Sequence, residues 1–315
     1  MDEFALIARY FAALGDAGAD VLCGIGDDAA LLEPTSPRLA VVVDTLVEHV
    51  HFPSAMQPAD LGFRVAAVNL SDLAAMGARP RYATLALTMP SADEDWIAAF
   101  AQGLGEALQP AGVALVGGDT TRGPLTVTVQ LIGLQEGPAL RRSGAQPGDL
   151  VCVSGTLGDA RAALDLLAVG PVDDDQRALL QRYRRPQARL ALGQALGPIA
   201  HAAIDVSDGL VADLGHIAAA SAVAITIELE RLPLSRALLR HCSRAQALAH
   251  AAGGGDDYEL AVTVAPSRLG DAQAAAAQCG VPLSVIGQVG AGRGLRCVDG
   301  AGRDCTAAYV GYRHF

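Results

Sequence analysis

Hydrophobic and polar positions along the chain follow two periods. Near the start, Phe4, Ile7, Phe11 and Leu14 recur at helical spacing and predict an amphipathic helix. LAVVVDTLV (39–47) is an unbroken β-branched run and predicts a buried strand, ending in Asp44. Pro58 opens a helix that runs through Met76 and closes on Gly77 and Pro80. On it Leu61, Val65, Val68 and Asp72 share one face. YATLALTM (82–89) predicts a strand, 93–108 a helix, VALVGG (113–118) a strand running into a loop, and LTVTVQLIGL (125–134) an alternating strand.

The turn cluster GAQPGD (144–149) is the candidate boundary, separating domains at 1–143 and 144–315. Beyond it LVCVSG is a strand and helices fill roughly 158–198. AAIDVSDG is a strand leading into a helix at Leu210, and VAITIEL, YELAVTV and PLSVIG are further strands. Two α/β halves with mixed strand order predict an α+β fold.

Composition narrows the function classes. The chain has 315 residues, 51% of them hydrophobic, and a net charge of −11, so it is globular and acidic. No basic stripe of the kind nucleic-acid binders carry is present. There is no lysine, so all 23 basic residues are arginines and a phosphate-binding loop of the GxxxxGK[ST] type is excluded. Six cysteines are scattered with no CxxC pair, which fits a reducing compartment and predicts a cytoplasmic protein. MDEFALIARYF does not read as a signal peptide, and no run approaches the length of a membrane span.

The candidate chemistry lies in aspartates. GIGDDAA (24–30) and GGGDD (253–257) each set paired carboxylates behind a glycine turn. Asp28, Asp44, Asp72, Asp119 and Asp205 all fall at predicted element ends or after glycines. Each alone also fits an ordinary role: Asp72 as a surface residue one turn beyond the core, Asp119 in an Asx turn, Ser207 or Asp208 as a helix cap. Together they carry more weight. Two unit charges about 4 Å apart repel by about 4 kcal/mol at an effective dielectric near 20. Several such pairs would exceed a typical domain's stability of roughly 5–15 kcal/mol. Convergence would therefore require cations, and hard oxygen ligands point to Mg²⁺ shared with the phosphates of a nucleotide.

GIGDDAALL, DTLVEHVHF, AVNLSDLAAMGARP, VGGDTTRGP, RRSGAQPGD, AIDVSDGL and GGGDDYEL follow one another in this order. Together they resemble the thiamine-monophosphate kinase family of the aminoimidazole-ribonucleotide-synthetase-like superfamily, from FALIARYF to GYRHF. The resemblance implies phosphorylation of thiamine monophosphate by ATP, with several Mg²⁺ ions. It implies an N-terminal domain that binds metal and ATP and dimerises through its strands, and a C-terminal domain that completes the active site. Metal ligands fall on Asp28, Asp44, Asp72, Asp119, Asp205 and Asp208. ATP contacts fall on Gly118, Asp119, Arg142 and Ser207, and substrate contacts on His51, Asp256 and Tyr312.

Two departures stand out. Many relatives carry hydroxyl residues where this chain has Val42 and Val43, and often Glu where it has Asp256. The acceptor is itself a phosphate, so the implied mechanism is direct in-line transfer with no side-chain base and no phosphoenzyme. The rival readings are another ATP-using superfamily member, such as a ribonucleotide cyclo-ligase, and a non-catalytic Mg·nucleotide-binding regulator. Selenophosphate synthetase is disfavoured, because Cys23 lacks a paired lysine.

Overall fold

The computed structural model describes the chain apart from residues 1–2, 16–17, 26–28, 169, 171–172, 310 and 313–315, and apart from the side chains of residues 3 and 4. It divides into two units: residues 1–73 with 78–136, and residues 74–77 with 137–315.

In the first unit, helix α1 (Glu3–Tyr10) precedes β1 (Val21–Cys23) and β2 (Leu31–Leu32), a small antiparallel pair. Then come β3 (Leu39–Val47), α2 (Pro58–Ala75), β4 (Arg79–Met89), α3 (Glu94–Leu108), β5 (Ala114–Arg122) and β6 (Thr126–Leu134). Its four-stranded sheet has the order β3-β6-β4-β5, with β4 and β5 parallel and the other neighbours antiparallel. Asp93 caps α3 by accepting from the N–H groups of Asp95 and Trp96, which ends the preceding strand–helix turn. Leu61, Val65 and Val68 on α2 are buried, as their shared face predicts, and so are Val127, Val129 and Leu131 on alternate positions of β6.

Several expectations change here. The predicted first helix stops at Tyr10 and is followed by a 3-10 turn (Ala12–Gly15). Phe11 is still buried, edge-on to Phe100, but so is Leu6, which lies off the predicted face. Strand β3 has the predicted bounds but is not a buried strand. It is an edge strand on which Val41 and Val43 are each 57% exposed, because only alternate positions face the helices. Asp44, expected at its end, lies three residues inside it. Likewise β5 runs on to Arg122, so Asp119 sits within a strand and not in a loop.

The second unit is built on β7 (Leu150–Ser154), α4 (Asp159–Ala163), α5 (Asp174–Arg184), α6 (Leu190–Leu196), β8 (Ala202–Asp205) and α7 (Leu210–Ser221). It continues through β9 (Ala224–Glu228), α8 (Arg236–His241), α9 (Arg244–Gly253), β10 (Leu260–Val264), α10 (Leu269–Gln278), β11 (Leu283–Gly290) and β12 (Gly294–Val298). Its six-stranded sheet has the order β12-β9-β11-β7-β10-β8. Successive residues of β7 enter different cores: Val151 and Val153 pack with α7, and Cys152 packs with residues of α6 and α10. Both sheet faces are covered, so β7, β8 and β10 read as continuous apolar runs. The helices expected over roughly 158–198 are, among the described residues, α4, α5 and α6 with a 3-10 turn at Leu164–Leu166. Strand β12 and helices α8 and α9 have no counterpart in the sequence reading.

Candidate active site

In the second unit the chain after β8 makes a tight loop, Val206 to Gly209, before α7 begins. Asp205 ends the strand buried, at 4% exposure. Neither Ser207 nor Asp208 caps the helix. The cap position is Gly209, with φ 125° and no side-chain capping bond. The amides of the loop are instead taken by a side chain from inside the helix. Asp213, in its first turn, accepts the backbone N–H groups of Ser207, Asp208 and Gly209 on a single oxygen, Oδ2, at 3.1, 3.2 and 3.0 Å. Three consecutive amides aimed at one carboxylate form a closed anion nest. Asp213 is itself buried, and its carboxyl is pushed up to about 7, first by burial and then by the charges of Asp205 and Asp208.

The GGGDDYEL segment lies against this loop. Asp256 donates its N–H to the Ser207 carbonyl at 2.8 Å, Tyr258 donates to the Val206 carbonyl at 2.8 Å, and Val206 donates to the Glu259 carbonyl at 2.8 Å. Gly255 makes the approach possible, since a Cβ there would stand 2.4 Å from the Ser207 carbonyl oxygen. Asp256 and Tyr258 both hold left-handed backbone, φ 70° and 52°, which costs a non-glycine residue energy and persists only where the surroundings enforce it. The Tyr258 hydroxyl donates to Asp256 Oδ1 at 3.1 Å and fixes that carboxylate.

Enforcement comes from a buried charge network beneath the segment. Glu259, fully buried, accepts from Ser154 Oγ at 2.6 Å, Arg189 Nε at 2.7 Å and Arg182 Nη2 at 2.9 Å. Arg182 also donates to the Asp257 and Thr156 carbonyls. Asp257 accepts the Gly158 N–H at 2.7 Å. Its other oxygen has no hydrogen-bond partner among the described residues, and burial pushes its carboxyl well above the ordinary carboxylate range. The sequence reading quoted this motif but did not single out Asp257 or Glu259. Asp213 was also missed, although a lone carboxylate one turn from Leu210 on an apolar helix is the same signal that drew attention to Asp72.

Two further segments are fixed near the two ends of α7. Tyr312 donates its N–H to the Asp208 carbonyl at 3.0 Å, so the chain end runs past the 205–209 loop, with the Tyr312 side chain half exposed. Arg142, exposed, lies in a loop held at the other end of α7. Ser221 Oγ accepts the N–H groups of Gly144 and Ala145, both at 3.1 Å, and donates to the Arg142 carbonyl at 3.0 Å.

In the first unit the singled-out residues are spread over the sheet and its helix. Asp44 pairs with Val129 on β6, in register with Leu85 on β4 and Gly118 on β5. Asp119 belongs to the adjacent row, with Ala86 and Thr128. Strands β3 and β5 are the two edges of this sheet, so three strand spacings, roughly 14 Å, separate their backbones. Gly118 has its own structural reason, because a Cβ there would stand 1.9 Å from the Leu85 carbonyl oxygen. Asp72 is half buried, one turn beyond the buried Val68. His51 Nδ1 accepts the Val47 N–H at 3.0 Å, which places the proton of a neutral ring on Nε2. Asp28 lies outside the described residues.

Among the described residues, no group of three or more His, Cys, Asp or Glu side chains is placed to hold a metal ion. The donor chemistry nonetheless suits a hard cation that takes one or two protein carboxylates and completes its shell with substrate phosphates. Asp208 offers such an oxygen on a loop whose amides are already satisfied by Asp213. No described helix is long and apolar enough to cross a membrane.

The chain is similar to known proteins over nearly its whole length. The family model for the AIR synthase related protein, N-terminal domain, matches residues 26–135, and that for the C-terminal domain matches residues 146–300. The thiamine-monophosphate kinase of Salmonella typhimurium is 48% identical, covering 99% of this chain and 98% of the relative. The crystal structure of thiamine-monophosphate kinase from Stenotrophomonas maltophilia K279a superposes with a TM-score of 0.88 at 48% identity, over 94% of this chain and 96% of that one. AaThiL, complexed with AMPPCP and TMP, superposes with a TM-score of 0.81 at 34% identity, over 92% of each chain.

Proposed function

Because the chain belongs to the AIR synthase related family and, within it, to the thiamine-monophosphate kinases, we propose that it transfers the γ-phosphoryl group of ATP to thiamine monophosphate, giving thiamine diphosphate and ADP. One observation supports this reading most. Main-chain bonds tie Asp256 to Ser207 and Tyr312 to Asp208, so two residues expected on the acceptor are fastened to one expected on the nucleotide and one expected on the metal.

Asp28, Asp44, Asp72, Asp119, Asp205 and Asp208 would hold Mg²⁺, which when bound neutralises the charge that two phosphate groups bring together. Arg142 and Ser207 bind the triphosphate, with the Gly118–Asp119 backbone approaching it. Asp256, His51 and the Tyr312 ring take the acceptor, whose cationic thiazolium suits a carboxylate and an aromatic face. A phosphate monoester has a second pKa near 6, so the acceptor is mainly dianionic at neutral pH. Its oxygen attacks the γ-phosphorus in line, the bond to the ADP oxygen breaks, and no proton needs to move. We assign no side-chain base. We place the enzyme in the cytoplasm as a homodimer formed through the exposed face of β3.

The test is incubation with Mg·ATP and either thiamine monophosphate or free thiamine, reading ADP and thiamine diphosphate. One ADP per diphosphate formed, with no product from thiamine, is expected. Nucleotide binding without turnover would favour the regulator reading, and turnover only with a ribonucleotide acceptor would favour a cyclo-ligase.

A further inference from the structure

Helix α7 makes contact with both segments assigned to the nucleotide in the second unit. At its first turn Asp213 Oδ2 takes the N–H groups of residues 207–209, and at its last residue Ser221 Oγ closes three bonds on residues 142–145. The two anchors are about 12 Å apart along the helix axis. Between them α7 is embedded in the core through Leu210, Leu214, Ile217 and Ala218, so it is a rigid bar and not a mobile element. The three amides that Asp213 takes belong to the loop before α7 and not to the body of the helix. Its burial is costly, and what it secures is the path of the loop.

We propose that Asp213 and Ser221 are positioning residues for nucleotide binding, with α7 setting the spacing between the Ser207–Asp208 loop and the Arg142 loop. The inference rests on the reading that Ser207 and Arg142 face ATP. It implies that ligand affinity depends on two side chains that touch no ligand.

The test uses the full chain and four variants besides Arg142→Ala: Asp213→Ala, Asp213→Asn, Asp213→Glu and Ser221→Ala. Hydrogen exchange reads the amides of residues 207–209 and 144–145 without ligand. Calorimetry reads the Kd of a Mg·ATP analogue, and kinetics reads KM for each substrate. Asp213→Ala should speed exchange at 207–209 and raise the analogue Kd at least tenfold, with helix content unchanged. Asp213→Asn keeps an oxygen acceptor and should restore slow exchange and a Kd within a few-fold of the parent. Ser221→Ala should speed exchange at 144–145 and raise KM for ATP several-fold, leaving KM for thiamine monophosphate within twofold. If Asp213→Ala does not fold, Asp213→Glu, with its carboxylate moved by one methylene, is read in its place. If Arg142→Ala weakens the analogue but the Asp213 and Ser221 variants change neither exchange nor Kd, positioning by α7 is overturned while the site stands. If Arg142→Ala also leaves Kd unchanged, the nucleotide assignment itself fails and the inference falls with it.

Discussion

At the scale of single residues, the most consequential side chains are those that hold other groups in place. Asp20 is one. Arg81 grips it through two nitrogens and the Tyr82 hydroxyl donates to it at 2.7 Å, with little of either charged side chain exposed. The hydrogen bonds from Arg81 hold its carboxyl far below the usual carboxylate range. A depressed folded pKa stabilises the protein above the unfolded value near 4, and that contribution is lost as pH falls through the folded value. Asp20→Asn should therefore lower stability at pH 7 by about 1–2 kcal/mol after partial solvent screening. The gap from the parent should shrink between pH 4 and pH 2. Urea unfolding across that range checks it, and a gap that did not change with pH would remove the ion pair from the account. Nothing in the local sequence announced this pair, because Asp20 and Arg81 are 61 residues apart and meet only through the fold. Asp72 was legible, by contrast, because its signal is the spacing within one helix. Asp213 carried the same local signal, and only the structure revealed what its carboxylate touches.

At the scale of elements, helices and strands with a clean period were legible and their faces were less so. The bounds of β3 match the predicted run, yet a β-branched sequence does not say whether both faces are covered. In β7 they are, and in β3 one is not. The uncovered face carries Val41, opposite Ile132, and Val43, opposite Gln130, on an edge strand with open hydrogen-bonding groups. This supports the proposed homodimer, since an apolar edge left bare invites pairing. Val41→Asp should shift the protein from dimer to monomer in sedimentation at micromolar concentration while circular dichroism stays unchanged. A parent chain that sediments as a monomer would defeat the proposal outright. Elements such as β12 and α8 escaped the sequence reading because glycine and arginine interrupt their few apolar residues, GLRCV and RALLRH, whereas the equally short β7 and β10 are near-continuous apolar runs.

At the scale of the whole molecule, if the proposed acid set holds Mg·ATP, the protein should be stabilised by what it binds. Mg·ATP at 100 times its Kd should add about 2.7 kcal/mol by mass action. A thermal melt with and without Mg·ATP checks this, and a midpoint indifferent to both metal and nucleotide would count against the acid set as a ligand site. The sequence alone determined the α+β class, the order of those elements that carry a clear apolar pattern, the family resemblance and its motif blocks. Those properties are written in short-range information: hydrophobic period, glycine turns and residue types at fixed spacing. The tertiary structure decided which face of β3 stays bare, that Asp119 belongs to a strand, and that Asp213, Glu259 and Ser221 brace the motif loops. Those outcomes depend on which distant segments arrive to cover a surface or to satisfy a buried donor. A buried amide or carboxylate must find its partner wherever the chain brings one, and that partner is seldom a neighbour in sequence.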